Sequence, residues 1–335
     1  MKSNTVTGKS NPVFNLTLLW AFNECALGGL MHGFKIPFTG IFVGGFAVIL
    51  IGLIAHFSER NFRTIVNSTF LVLCVKFVAS PQSPVPAYFA VAFQGLFAGL
   101  VYWLVANFKI ASLLFAVVAM LESAVQKLII WTLIFGKSLW VALDALLNDV
   151  AKLFHSQNRN YAWYLLVAYL LIYLLWGLLL GVWLGRLPAK LSALADERLK
   201  QSSVVYNNYV KQDLVESPKR KKNRLRIYGL IALVCVGIII ILQNKIDMGA
   251  FLLRVFASVF IIFFVIVPLV KWLIKRNKKF AESNISLVLQ YFPWLRHLTY
   301  ASWQFAKENY SGITRIKEFV FTLLVLVLYT KANNE

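Results

Sequence analysis

Tyr161-Ala-Trp-Tyr-Leu-Leu-Val-Ala-Tyr-Leu-Leu-Ile-Tyr-Leu-Leu-Trp-Gly-Leu-Leu-Leu-Gly-Val-Trp-Leu-Gly185 carries no charged side chain and no proline. An α-helix needs about 20 apolar residues to cross the hydrocarbon layer of a bilayer, and this run is longer than that. In lipid the backbone must satisfy its own hydrogen bonds, so only helices and closed barrels can span, and a long unbroken apolar run means a helix. Similar blocks, nearly free of charge, recur at 41–55, 85–106, 110–121, 227–242, 250–274 and 319–329. Of the 335 residues, 59% are hydrophobic and 14% charged, where soluble domains run nearer half and a quarter. The fold class read from this pattern is all-α, a polytopic integral membrane helical bundle.

Working outward, six spans are predicted in the first part of the chain, at roughly 14–33, 38–57, 64–79, 85–106, 110–136 and 162–185, forming one bundle over 1–185. Loops between them are brief except for 137–161. There Leu139, Leu143, Leu146, Leu147, Val150 and Phe154 recur every three or four residues, which predicts an amphipathic helix on the membrane surface. A lid over a ligand site is the sharper alternative. Residues 186–335 form the second part, a basic helical segment with two or three further membrane helices. In it, 188–209 reads as an amphipathic helix, 227–244 and 249–274 as spans, 285–312 as interfacial through Tyr291, Trp294, Tyr300 and Trp303, and 319–329 as a run short for a span. The polar start, 1–12, lacks an apolar core followed by a small-residue cleavage site, so no cleaved signal peptide is expected. Cys25, Cys74 and Cys235 sit in apolar blocks without metal-ligand spacing and read as small buried hydrophobes.

The net charge of +20 is distributed unevenly. Threading six spans from a cytoplasmic N-terminus puts Lys2, Lys9, Arg60, Arg63 and Lys109, the eleven basic residues of 186–226 and the five of 271–279 on one side. Lys35, Lys137, Lys152, Arg159 and Lys245 fall on the other. Basic residues favour the cytoplasmic side, so the expected location is the cell (inner) membrane with the N-terminus in the cytoplasm. No basic soluble module suggests nucleic acid. Anionic lipid is the expected counter-ion, with Lys219, Arg220, Lys221, Lys222 and Arg224 as the densest basic run.

Ionisable side chains at membrane depth are costly and usually face the bundle interior. Glu24, His32, Lys76, Glu122 and Lys127 fall inside predicted spans, as do the uncharged Gln94 and Gln126. One reading is a polar cavity in the outer half, with Lys76, Gln94, Glu122, Gln126 and Lys127 as the solute-binding set. The other is that Glu24 or Glu122 pairs with Lys76 or Lys127 and neutralises the bundle core. Ser80-Pro-Gln-Ser-Pro-Val-Pro-Ala-Tyr88 and His32-Gly-Phe-Lys-Ile-Pro-Phe-Thr-Gly40 are stiff loops on the same side, and suit either the mouth of a cavity or plain helix connections.

Ala21, Cys25, Gly29 and Gly33 form a stripe of small residues at four-residue spacing along the first span. Such a stripe lets another helix approach closely, either inside the bundle or from a partner membrane subunit. Enzyme motifs are scarce. Gly136-Lys137-Ser138 resembles the end of a phosphate-binding loop, but Trp131 stands where the first glycine belongs and no strand precedes it. His32, His56, His155 and His297 are scattered. The chain is therefore read as a non-enzyme that needs no cofactor or metal.

Residues 1–185 resemble the substrate-binding S component of energy-coupling factor vitamin transporters, on six spans in a short chain, the Ala21–Gly33 stripe and the Gly/Pro-rich outer loops. The resemblance implies docking through Ala21, Cys25 and Gly29 to a partner membrane subunit, with ATPases behind it. It also implies binding of a vitamin or precursor by the polar set around Lys76 and Gln94. Residues 186–335 depart from that pattern. Gly185-Arg186 and Ala195-Asp196-Glu197-Arg198 do not match the short Ala-Arg-Gly-type motif of a coupling subunit.

Overall fold

The computed structural model describes residues 11–33, 39–80, 83–152, 161–213 and 288–330. Those residues are helical apart from short turns, and no strand occurs among them. The helices are α1 (Pro12–Phe22), α2 (Gly28–Gly33), α3 (Gly45–Phe57), α4 (Phe62–Ala79), α5 (Val85–Leu104), α6 (Phe108–Phe135), α7 (Lys137–Lys152), α8 (Tyr161–Leu184), α9 (Leu187–Asp213), α10 (Phe292–Asn309) and α11 (Gly312–Tyr329). Two π-helical segments, Asn23–Leu27 and Gly40–Gly44, join α1 to α2 and lead into α3. The spans expected at 227–244 and 249–274, the basic run Lys219–Arg224, and Phe154 and Cys235 lie outside the described residues.

Among the described residues, five stretches are long and apolar enough to cross a membrane: Gly40–Phe57, Phe62–Ala79, Pro86–Leu104, Phe108–Leu133 and Tyr161–Leu184. They match the second to sixth spans read from the sequence. The first predicted span, 14–33, is helical but not among the five. It carries Asn15, Thr17, Asn23 and Glu24, each only 3–4% exposed. Its polar groups point into the protein, with α3, α4, α10 and α11 packed around it, so this is an interior helix.

Local chemistry sets the boundaries. Asn11, Asn61 and Asn107 each sit in extended backbone one residue before a helix and accept from its first-turn N–H groups: Asn11 from Phe14, Asn61 from Thr64, Asn107 from Lys109 and Ile110. The α3–α4 turn runs through Glu59 and Arg60, both left-handed with φ of 54° and 62°. Arg60 then donates to the Ala106 carbonyl in the α5–α6 turn and ties the two hairpin ends together.

Helix contacts are closest where glycine removes the side chain. A Cβ on Gly181 would stand 2.7 Å from the Leu113 Cα, and one on Gly177 would stand 2.9 Å from the Val117 Cα. With Gly185 against Lys109, these residues form a four-residue-spaced stripe that lays α8 directly on the backbone of α6. Gly95 of α5 leaves room for the Thr69 side chain of α4. The opposite side of α8 is apolar and open, with Trp163, Tyr164, Leu171, Leu175 and Leu179 exposed, as a lipid-facing surface requires.

The hydrophobic core continues from this bundle into α9, α10 and α11. The Asn15 amide donates to the Val327 carbonyl at 2.8 Å, and Phe14 and Phe22 meet Tyr291 and Phe292 edge to face. Residues Phe321–Leu328, a possible third C-terminal span by sequence, are all buried against α1, α9 and α10, and α11 is not among the membrane-length apolar helices. Trp294, expected at the headgroup layer, is instead in the core, while Tyr300 and Trp303 are exposed. Arg198 on α9 donates to the Glu318 carboxylate at 2.8 Å, with its guanidinium over the rings of Phe305 and Tyr310. The amphipathic helix expected after 137 is α7. It is held at both ends of its loop: Trp140 donates to the Thr132 hydroxyl, and the Asp144 carboxylate accepts from the Ala162 N–H at the start of α8.

Candidate functional site

The two π-helical segments are the starting point. A π-turn inserts an extra residue into a helix and is found disproportionately at functional sites. The first brings Asn23 and Glu24 to the interior. The second lies across from it, and the Asn23 amide donates to the Val43 carbonyl at 3.2 Å, joining the two. Glu24 then meets Lys76 of α4, with Oε2 and Nζ 2.5 Å apart and the side chains 5% and 1% exposed. Of the pairings considered for the core, the one between Glu24 and Lys76 forms. The Lys76 ammonium also lies 5.8 Å from the ring centroid of Tyr88.

A cavity of about 260 Å³ opens beside this ion pair. Its wall is drawn from the first π segment (Glu24), the second (Gly40, Val43, Gly44), α4 (Lys76), the proline-rich loop and start of α5 (Pro84, Pro86, Ala87, Ala90, Val91, Gln94) and α6 (Ser123, Gln126, Lys127, Ile130), with Thr39 alongside. The stiff loop after α4 therefore forms part of the wall. Its shape is fixed by hydrogen bonds: the Ser83 N–H donates to the Ser80 carbonyl, the two hydroxyls are 3.0 Å apart, and the Tyr88 hydroxyl donates to the Ser80 carbonyl.

Four of the five residues assigned to solute binding from the sequence, Lys76, Gln94, Gln126 and Lys127, border this one cavity. The fifth, Glu122, does not line it. Both Glu122 carboxylate oxygens are buried with no hydrogen-bond partner among the described residues. Gln126 spends its amide N–H on the Pro86 carbonyl at 2.8 Å and braces α6 against the start of α5. Gln94 is 2% exposed and makes no hydrogen bond among the described residues; its amide nitrogen approaches the Gly44 backbone, where a Cβ would stand 3.3 Å away. Lys127 is half-buried and has no ion-pair partner among the described residues.

Sequence reasoning missed Ser123 and Thr39 on this wall. Hydroxyl residues within a helix usually bond the carbonyl one turn back, so nothing in their spacing singles them out. The small-residue stripe of the first span is divided. Ala21 is fully buried in the bundle, Cys25 and Gly29 are half-buried, Gly29 faces the Ser80 hydroxyl, and Gly33 ends α2. No group of three or more His, Cys, Asp or Glu side chains suited to a metal occurs among the described residues. Comparison with family models, curated proteins and solved structures returns no match.

Proposed function

We propose that the chain is a membrane transport subunit that binds a small solute in the cavity between the two π-helical segments and passes it on through a partner membrane subunit. The observation that carries this reading is Gln94. A buried amide with no internal hydrogen bond is costly unless something supplies its partners, and this one borders an open space of solute size. That space, about 260 Å³, falls just under the roughly 300–1,000 Å³ of sites for drug-sized ligands. A closed polar pair (Glu24–Lys76), an apolar wall and a few uncommitted donors are the parts of a binding site.

In this reading the outer side is the side of the proline-rich loop, the N-terminus is cytoplasmic, and the basic residues of 186–226 meet anionic lipid. Docking to the partner uses the half-buried Cys25 and Gly29, since Ala21 is covered by the chain itself. Thermal-shift screening of the purified full-length protein with vitamins and their precursors tests the reading. At least one compound should raise the melting temperature of the wild type and leave Gln94→Leu unmoved. No shift with any compound would overturn it.

A further inference from the structure

The charges on the cavity wall do not cancel, and their imbalance bears on what the cavity holds. Glu24 and Lys76 answer each other at 2.5 Å and are almost fully buried, so the pair presents little net charge. Lys127 is the other ionised group on the wall, and no carboxylate among the described residues pairs with it. Glu122 is on the same helix, but five residues apart places the two on different faces, and its oxygens make no hydrogen bond there. An uncompensated cation at membrane depth is costly. Two neutral donors without partners among the described residues, the Gln94 amide and the Ser123 hydroxyl, border the same space.

Resting on the solute-binding reading above, we propose that the solute carries a carboxylate and that Lys127 is its counter-charge, with Gln94 and Ser123 donating to its oxygens. One cation with two neutral donors matches a single negative charge, whereas a phosphate dianion would be left half neutralised. The rest of the wall, Val43, Ala90, Val91 and Ile130 among it, takes an apolar body. The occupant is thus a compact organic acid, small enough for about 260 Å³.

The test uses purified full-length protein and matched pairs of acid and primary amide: phenylacetate and phenylacetamide, indole-3-acetate and indole-3-acetamide, p-aminobenzoate and its amide, hexanoate and hexanamide. At least one acid should bind by calorimetry, with its amide about tenfold weaker or worse, because charge-assisted hydrogen bonds are roughly twice as strong as neutral ones. Lys127→Met should lose that acid by a similar factor, and Lys127→Arg should keep most of it. The unliganded melting temperature of Lys127→Met should rise, since an unpaired charge has left the protein; that signature separates a binding lysine from a structural one. Amides that bind as well as acids would overturn the carboxylate assignment and leave the solute reading standing. Acids that bind Lys127→Met as tightly as wild type would overturn the role of Lys127. If no acid or amide binds at all, the carboxylate assignment falls, and the vitamin screen decides separately whether the cavity binds any solute.

Discussion

Helix α6 has two faces that behave in opposite ways. On one, Leu113 and Val117 lie against Gly181 and Gly177 of α8, so close that no side chain fits between the backbones. On the other, Ser123, Gln126, Lys127 and Ile130 border a cavity that no helix fills. Both faces belong to one apolar span. The contrast shows what organises the interior once lipid has removed the hydrophobic drive between helices. Small residues on the partner decide where backbones close, and polar side chains decide where they stay apart. The seam holds the bundle together, and the open face is where a ligand can be received.

The largest effect should come from breaking the ion pair at the edge of the open face. Lys76→Ala or Glu24→Ala leaves a buried charge without its partner and should cost about 3–5 kcal/mol, seen as loss of folded protein after detergent extraction. The double variant Glu24→Gln with Lys76→Met should recover most of that stability. If both single variants melt like wild type, the pair is not the closed unit described here.

On the seam, Gly181→Ala puts a methyl group 2.7 Å from the Leu113 Cα, where backbone must move, and should cost about 1–3 kcal/mol as overpacking does. Solute binding by the remaining folded protein should be unchanged, because the cavity lies on the other face of α6. A variant that binds poorly while melting normally would erase the distinction between the two faces. A smaller change is expected at Asn15. Asn15→Ala removes the donor to the Val327 carbonyl and should lower stability by roughly 1 kcal/mol, with faster proteolysis at the C-terminal helix as the readout.

Much of this was legible before the structure. Apolar blocks locate the second and the fourth to sixth spans, and the rule that membrane-depth polar groups face inward picks out Lys76, Gln94, Gln126 and Lys127, which share one cavity wall. Other features leave no trace in the pattern. Gly177, Gly181 and Gly185 read as filler inside a Leu-rich run, and only the approach of α6 reveals their role. The π-turns shift the register by one residue, too little to see against a nearly all-apolar background. Glu122 obeys the same rule as its neighbours and stands one turn before Gln126 on α6, yet it does not line the cavity, which the sequence pattern does not reveal. Trp294 and the run Phe321–Leu328 look interfacial or membrane-spanning by composition, and become core because α1 packs on both their helices, Phe14 against Tyr291, Phe22 against Phe292 and Asn15 on the Val327 carbonyl.

The central claim is that the cavity between the π-helical segments is the binding site, and filling it is the most direct test. Ala90 lines the cavity with no polar role of its own, so Ala90→Trp should block it without removing a charge or hydrogen bond. Native mass spectrometry of the full-length protein, loaded with any compound that stabilises the wild type, should show a one-to-one complex for wild type. It should show the same for Val125→Trp, on the exposed side of α6, and none for Ala90→Trp of normal melting temperature. Equal occupancy in Ala90→Trp and wild type would place the solute elsewhere and contradict the account.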